Sequence, residues 1–555
     1  MKKMIFLFIF ISSLGHSFPK FSSNFDQWKN KEHHFLEYID DKDQVRAVFI
    51  GSKVYSADNK GKRPSVSEGQ GYGLLLSYAN DDQHLFDKFL RYILEACSKY
   101  GCVRYGKTKC EHRSYFLMPW MLDENNEPFL YMPQKDSKES YISTGSATDA
   151  DIQIAWAIYL AMKKVEKGEW KNHFFRTYFG KADYKTLFHE MVNEIRLYDI
   201  EHEKVVINPG SQWGENGKNV FFAGYFTPQA FRALDKVPMP NENYFPPDEE
   251  KNSEAYLITI KNNSTEKLFV RFDKADGKVF PNHQIVDEEK DLYSIPPLCV
   301  AKIYFFPKKH RSNIFIKTYV TQKEKDKAEF NFITLNKSFK IENTNDAKYR
   351  FFTKKDRAYL SFTSDDFSKL KFTFDEVMIN SAKVIKNFQD KNNTGFMPNI
   401  YYFDGNYPKP GKWEKTFSYD AIRYILWTTP FVYHNPNHKY TSLFKNILDR
   451  MYNQIKPYIE KKKNGWALPA EGVNAFTGKV NKGWEGISPS LNAPLFIYAY
   501  YFKDKEVFEK LGPNILNYSI VNKQPSIFDP PNDSSAYYTA IMLLVMQALM
   551  EGNLD

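Results

Sequence analysis

Gly71–Ala96 reads GYGLLLSYANDDQHLFDKFLRYILEA, with apolar residues recurring at helical spacing. The same period runs through Asp149–Gly168 (DADIQIAWAIYLAMKKVEKG), Phe374–Phe388, Tyr440–Ile455, Ala493–Phe502 and Ser534–Met550. Several of these stretches follow Ser, Thr, Asp or Asn, as helix starts do. Between about Pro240 and Leu370 the period becomes alternating. Glu254–Lys274 (EAYLITIKNNSTEKLFVRFDK) places Tyr256, Ile258 and Ile260 on one face. A polar turn follows, and Leu268, Val270 and Phe272 then alternate back, which predicts a hairpin. Further strands are predicted at Leu298–Phe306, Asn313–Val320, Ala328–Leu335, Lys337–Asn343 and Lys348–Thr353.

The chain has 555 residues, too many for one ordinary core. The predicted organisation is a signal peptide over 1–17, a helical catalytic domain over 18–239 and 371–555, and an inserted sandwich-like all-β domain over 240–370. Roughly 400 residues of helix remain outside the insert, enough for six helical hairpins of about 65–70 residues in an (α/α)6 toroid. Periodicity alone does not establish that such a ring closes.

The N-terminus, MKKMIFLFIFISSLGHSF, has a basic start at Lys2 and Lys3 and an apolar run over Met4–Leu14, with Gly15 and Ser17 suited to cleavage. That run is short for a membrane span. A secreted or periplasmic protein with no span after signal removal is expected, a retained anchor being the alternative. Net charge is +9, or +7 without Lys2 and Lys3, and the basic residues are scattered, so no nucleic-acid partner is expected. Aromatic residues reach 17% of the chain; they suit cores, and they also suit the apolar faces of sugar rings. Cys97, Cys102 and Cys110 cluster, with Cys299 apart; a disulfide in the cluster is plausible in an exported chain, and its pairing is not legible. The spacing is not a zinc pattern, His112 beside it reads as a surface residue, and neither metal nor cofactor is expected.

Three acidic residues sit at predicted helix starts: Glu68, Asp149 and Asp420. Each has a plain reading, because free N–H groups at a helix start need acceptors. Ser65-Val-Ser-Glu68 fits a capping box, and Ser418 fits an N-cap ahead of Asp420. In a toroid of hairpins, however, alternate helices point the same way, so the starts of the inner helices collect at one end. Carboxylates distant in sequence can meet there, and glycoside hydrolysis needs such a meeting.

Four stretches then carry a family resemblance. Ser67–Phe89 (SEGQGYGLLLSYANDDQHLFDKF), Ala147–Ala161 (ATDADIQIAWAIYLA), Ala223–Leu234 (AGYFTPQAFRAL) and Tyr419–Arg423 (YDAIR) resemble, in order, the motifs of glycoside hydrolase family eight, the bacterial endoglucanase, xylanase, lichenase and chitosanase family. Ala-Gly stands where the third motif usually has Pro-Ser, and the β segment between the third and fourth motifs departs from the family plan.

The resemblance implies an (α/α)6 barrel that hydrolyses β-1,4-linked polysaccharide with inversion. It implies Glu68 as general acid, Asp420 as general base, and Asp149 at the sugar that is attacked. It also places Tyr225 and Arg423 in the site, and stacking tryptophans near Trp120 and Trp213. On physical grounds Glu68 needs a raised pKa, which an ionised Asp149 nearby would supply, while Asp149 and Asp420 are expected ionised. Arg423, one turn beyond Asp420, is expected to orient it. Trp427 reads as core, and Trp413 also flanks the Asp420 motif.

β-Glucan is the favoured substrate. Xylan, chitosan or an exopolysaccharide, an inactive carbohydrate-binding protein on the same fold, and a polysaccharide lyase are the alternatives. Three carboxylates would repel a lyase's anionic uronate. The β insert is expected to bind carbohydrate or a partner, or to wall the cleft.

Overall fold

In a computed structural model, residues 21–554 are described except for 31–34, 49–63, 103, 106–109, 113, 124, 129, 132–140, 143–144, 178–179, 212–219, 238–254, 357–371, 403–414, 463–464, 470–471, 482–488 and 517–533; between 255 and 356 the strands alone are described. The predicted signal peptide lies outside the described residues. Among the described residues no helix is long and apolar enough to cross a membrane.

Twelve α-helices are described: α1 Phe21–Lys29, α2 Ser67–Ala79, α3 Gln83–Tyr100, α4 Thr148–Glu166, α5 Tyr184–Tyr198, α6 Pro228–Leu234, α7 Phe374–Lys391, α8 Arg423–His434, α9 Thr441–Ile455, α10 Pro489–Phe502, α11 Lys505–Leu516 and α12 Ser534–Met550. The even-numbered helices form an inner ring, each packing on the next from α2 through α4, α6, α8, α10 and α12 and back to α2. The odd-numbered helices form an outer ring. α3 packs on α2, α5 on α4, α7 on α6, α9 on α8, α11 on α10, and α1 on α12. This is a closed (α/α)6 barrel, and the closure that periodicity left open is visible in the α12–α2 and α12–α1 contacts. Phe21 N–H donates to Glu551 Oε1 at 2.8 Å and Asn24 Nδ2 to Gln547 Oε1 at 3.1 Å, fastening the first helix to the end of the last.

The sequence encodes the two rings differently. Inner helices have neighbours on nearly every side, so α2 is buried from Gly69 to Ser77 and α8 from Arg423 to Val432. Outer helices bury one stripe, as α9 does with Phe444, Ile447, Leu448, Met451 and Ile455. Where rings press together, small residues are needed. A Cβ on Gly73 of α2 would lie 2.5 Å from the Phe89 ring of α3.

Among the described residues, nine strands lie between α6 and α7: β1 Ala255–Asn262, β2 Leu268–Asp273, β3 Gly277–Pro281, β4 Ile285–Asp287, β5 Leu292–Ile295, β6 Val300–Pro307, β7 Asn313–Tyr319, β8 Glu329–Thr334 and β9 Tyr349–Asp356. They make two antiparallel sheets, in the orders β3-β6-β1-β9 and β4-β5-β2-β7-β8. The predicted hairpin is therefore corrected. β1 pairs with β6 and β9, with Ile258 opposite Ile303 and Thr353, whereas β2 pairs with β5 and β7. Alternation fixes the face on which a residue lies and carries no information about the partner strand. The strand expected over Lys337–Asn343 and the packing of one sheet on the other lie outside the described residues.

Cys102 is disulfide-bonded and Cys97 is a buried free thiol. The side chains of Cys110, His112 and Cys299 lie outside the description.

Candidate active site

The inner helices start at one end of the barrel, and three of those starts converge on one guanidinium. Arg423 opens α8 and is 1% exposed. Its Nη1 donates to Glu68 Oε1 at 2.8 Å and to Asp149 Oδ2 at 2.9 Å, and its Nη2 donates to Asp420 Oδ1 at 2.5 Å. Glu68 and Asp149 lie in the first turns of α2 and α4. The three carboxyls all precede Arg423 in sequence, by 355, 274 and 3 positions. Glu68 and Asp420 sit on different nitrogens of the same fork, which holds them apart. The side chains of Glu68 and Asp420 are 32% and 22% exposed, so both reach solvent, while that of Asp149 is wholly covered.

The expected caps are not made. α2 starts at Ser67 with Val66 in the N-cap position and no side-chain cap. Ser65 Oγ instead pairs with Tyr92 Oη at 2.8 Å, and Ser67 Oγ is buried without a partner. α8 starts three residues after Asp420, and Ile422, not Ser418, is its N-cap. Ser418 Oγ accepts from Asn399 Nδ2 at 2.9 Å, and Asn399 Oδ1 accepts the Ala421 N–H at 3.1 Å, which pins the turn carrying Asp420.

The third motif supports that turn from the other side. Ala223–Tyr225 form a short 3₁₀ turn, and a Cβ on Gly224 would lie 1.7 Å from the Asp420 carbonyl oxygen. Only glycine allows so close an approach. The approach also lays the Tyr225 ring under Arg423, 5.6 Å from ring centre to Cζ.

The charge state departs from the expectation. Three ionised carboxylates facing one guanidinium would leave two uncompensated charges in a buried cluster. Burial, followed by repulsion from Glu68, pushes the Asp149 carboxyl well above the usual range. Burial also favours the neutral form of Glu68, but the Arg423 charge and hydrogen bonds from Asp149 and Arg423 outweigh it and leave Glu68 below its usual value. These directions favour the neutral form at Asp149 and the ionised form at Glu68, with the two carboxyls facing each other. They run opposite to the expected order, in which Glu68 is protonated and Asp149 ionised. Asp149 is the more deeply buried of the two, and Arg423 favours charge on its partners. Burial raises Asp420 as well, against Arg423 and with Glu68.

Trp120 is half-buried against Val66 and Met121. Its backbone ties two motifs together: its N–H donates to Gly145 O at 2.8 Å and its carbonyl accepts from Ser67 N–H at 3.0 Å. Trp213 and Trp413 lie outside the described residues. Trp427 is core, stacked on Tyr72 at 6.2 Å and meeting Trp156 edge-on. Two tyrosines join the cluster without having been expected there. Tyr72 Oη lies 3.4 Å from Arg423 Nη1, and its place one turn after Glu68 on the same helix face was the available signal. Tyr538, in the first turns of α12, faces Arg423 and donates to the Tyr419 carbonyl at 3.0 Å; no motif marks it.

Comparison with known proteins bears on the first three of these motifs. The family model "Glycosyl hydrolases family 8" matches residues 46–238. Endoglucanase A of Acetivibrio thermocellus is 30% identical over 182 residues, 33% of this chain and 30% of that protein. Endoglucanase C of Ruminiclostridium cellulolyticum is 30% identical over 215 residues, 38% of each. The chain thus spans about a third of the length of these curated relatives. Among solved structures, a reducing-end-xylose releasing exo-oligoxylanase superposes with a TM-score of 0.50 at 11% identity, over 98% of this chain and 96% of that one, a likeness of fold. Glu68, Trp120, Asp149 and Tyr225 fall inside the matched segment, and Asp420 and Arg423 beyond it. Over residues 46–238, the chain is similar to the glycosyl hydrolases of family 8.

Proposed function

We propose that the protein is an exported, endo-acting glycoside hydrolase that cleaves β-1,4-linked glucan in a single inverting displacement. The observation that carries this reading is the convergence of Glu68, Asp149 and Asp420 on Arg423 at one end of the barrel. The names of the similar endoglucanases support the substrate class.

In this reading Asp420 is the general base. Its raised pKa keeps it basic enough to take a proton from water near neutral pH, and Arg423 holds one of its oxygens so that the other faces the cleft. An inverting pair leaves room for one water, with about 6.5–9.5 Å between acid and base. Glu68 is the general acid, and its proton comes from Asp149. A bound glycan covers the exposed side of Glu68 and removes its water, which favours the neutral form and draws the proton across the existing hydrogen bond. Asp149, then ionised beside Arg423, stabilises the positive charge developing on the sugar ring. Tyr225 supports the Arg423 plane from below, and Trp120 and Trp213 supply stacking surfaces for neighbouring sugars.

The same reading assigns residues 1–17 to an export signal, 18–239 and 371–555 to the catalytic barrel, and 240–370 to an inserted β domain that contacts glycan or a partner. The test is incubation with soluble β-glucan, xylan and chitosan, following reducing ends and the product anomer by NMR. Release of the α-anomer from β-glucan is expected. First-formed β-anomer defeats the inverting mechanism, and turnover of xylan or chitosan alone defeats the substrate.

A further inference from the structure

A second carboxyl pair lies behind the first. We propose that Asp151 and Asp199 share a proton and so form a clamp that fixes the first turn of α4, and with it Asp149, against the Asp199–Ser211 segment; they are positioning residues. The role given to Asp149 rests on the function proposed above, whereas the shared proton does not.

Both residues are wholly buried. Among the described residues no Lys, Arg or His acts on either. The only donors beside the pair, among the described residues, are hydroxyls: Ser146 Oγ donates to Asp199 Oδ1 at 3.4 Å and also faces Asp151, and the Thr148 hydroxyl faces Asp199, while both oxygens of Asp151 and Oδ2 of Asp199 make no well-formed hydrogen bond to an N–H or O–H group. Two bare carboxylates in such a place would repel each other with only neutral hydroxyls, and no cation, to offset their desolvation. One proton between them turns the repulsion into the hydrogen bond that joins them.

The pair lies at a junction. The Asp199 carbonyl accepts from Asn208 N–H at 2.8 Å, the Pro209 carbonyl from Thr148 N–H at 3.2 Å, and Ser211 Oγ from Ser146 N–H at 3.0 Å. A segment leading toward Trp213 and the helix start bearing Asp149 are thus joined on both sides of the pair.

The electrostatics agree. Burial and then the facing Asp199 push Asp151 far up, and burial pushes Asp199 up to about 7 against its bond to Asp151. Both folded-state values are raised, so the stabilisation is full below the ordinary aspartate range near ~4 and is lost as pH rises, first through about 7. The other titratable groups facing the pair are Asp149 on α4, with Glu68 of α2 beyond it, and Cys97 on α3, with Glu194 of α5 beyond it. Burial and these carboxylates keep the Cys97 thiol neutral through this range.

The test uses the full chain, Asp199→Asn and Asp199→Ala. An asparagine amide donates to Asp151 at any pH, so the clamp persists without its proton. Infrared difference spectra at pH 8 are expected to lose a protonated-carboxyl band in Asp199→Asn, and the fall in Tm from pH 5 to 9 is expected to flatten. In kinetics, Asp199→Asn flattens the alkaline fall of kcat, while Asp199→Ala lowers kcat about 10- to 100-fold with little change in KM. An unchanged infrared spectrum and superposable Tm–pH curves overturn the clamp. If no glycan is cleaved by any form, the infrared and thermal results still decide the shared proton, and it is the proposed function that fails.

Discussion

Helix starts in the outer ring and in the inner ring use acidic residues in opposite ways. Outside, they cap. Asp82 accepts the Leu85 N–H at 3.0 Å, Asp183 accepts the Thr186 N–H at 2.9 Å, and Thr373 with Glu376 makes a complete capping box at the start of α7. Inside, the N-cap positions of α2, α4, α6 and α8 are Val66, Ala147, Thr227 and Ile422, and none makes a side-chain cap. The carboxyls near those starts turn to Arg423 instead. The same pattern, hydroxyl-x-x-Glu, is thus a cap at Thr373 and a site at Ser65. The difference teaches that a helix start carries chemistry when its acid is released from its own backbone.

Substitutions can break or sharpen that contrast. The largest effect is expected at the inner carboxyls: Glu68→Gln and Asp420→Asn should each lower kcat about 10²–10⁴-fold with folding intact, measured on soluble β-glucan beside circular dichroism. Near-normal turnover in either would remove the role assigned to it. Next comes Asp149→Asn. Burial and the facing Glu68 raise the Asp149 carboxyl in the folded protein above its unfolded value of about 3.9. Wild-type stability therefore falls as pH rises above that value, by up to about 1.4 kcal/mol per unit from this group. Glu68, depressed, adds stability that disappears only as pH falls below its ordinary range. Urea unfolding between pH 5 and 8 should show the decline in wild type and a flatter profile in Asp149→Asn; parallel profiles would place the proton elsewhere.

At the outer start, Thr373→Ala should cost about 1 kcal/mol in urea unfolding and leave kcat alone. The smallest effect is expected at Ser67→Ala, within about 0.5 kcal/mol, because its buried hydroxyl has no partner to lose. A loss as large as that at Thr373 would mean that Ser67 caps α2 after all.

The sequence made the barrel helices legible because amphipathic and all-apolar stretches differ in period, and the predicted helices at Asp149, Phe374, Tyr440 and Ser534 formed within a residue or two. Glu68, Asp149, Asp420 and Arg423 were legible as motifs, and the structure brings the three carboxyls within hydrogen-bonding reach of Arg423. Their protonation was not legible, since it depends on how far each carboxyl is from water and on which of them Arg423 touches. The partners of β1 and β2 were hidden for a related reason: alternation is a property of one strand, and pairing is a property of two. Tyr538 was hidden because only ring closure brings α12 beside Arg423.

That closure has a kinetic side. Arg423 meets Glu68 across a sequence separation of 355, and α12 seals the ring against α1 and α2. Contacts of such long range form late, after the entropy of closing a large loop has been overcome. The Glu68–Arg423 bond therefore serves as a gauge of completion: until α8 has docked beside α2 and α4, the proposed acid Glu68, the proposed base Asp420 and the charge between them are not assembled. A refolding chain should recover helical signal well before it recovers catalysis.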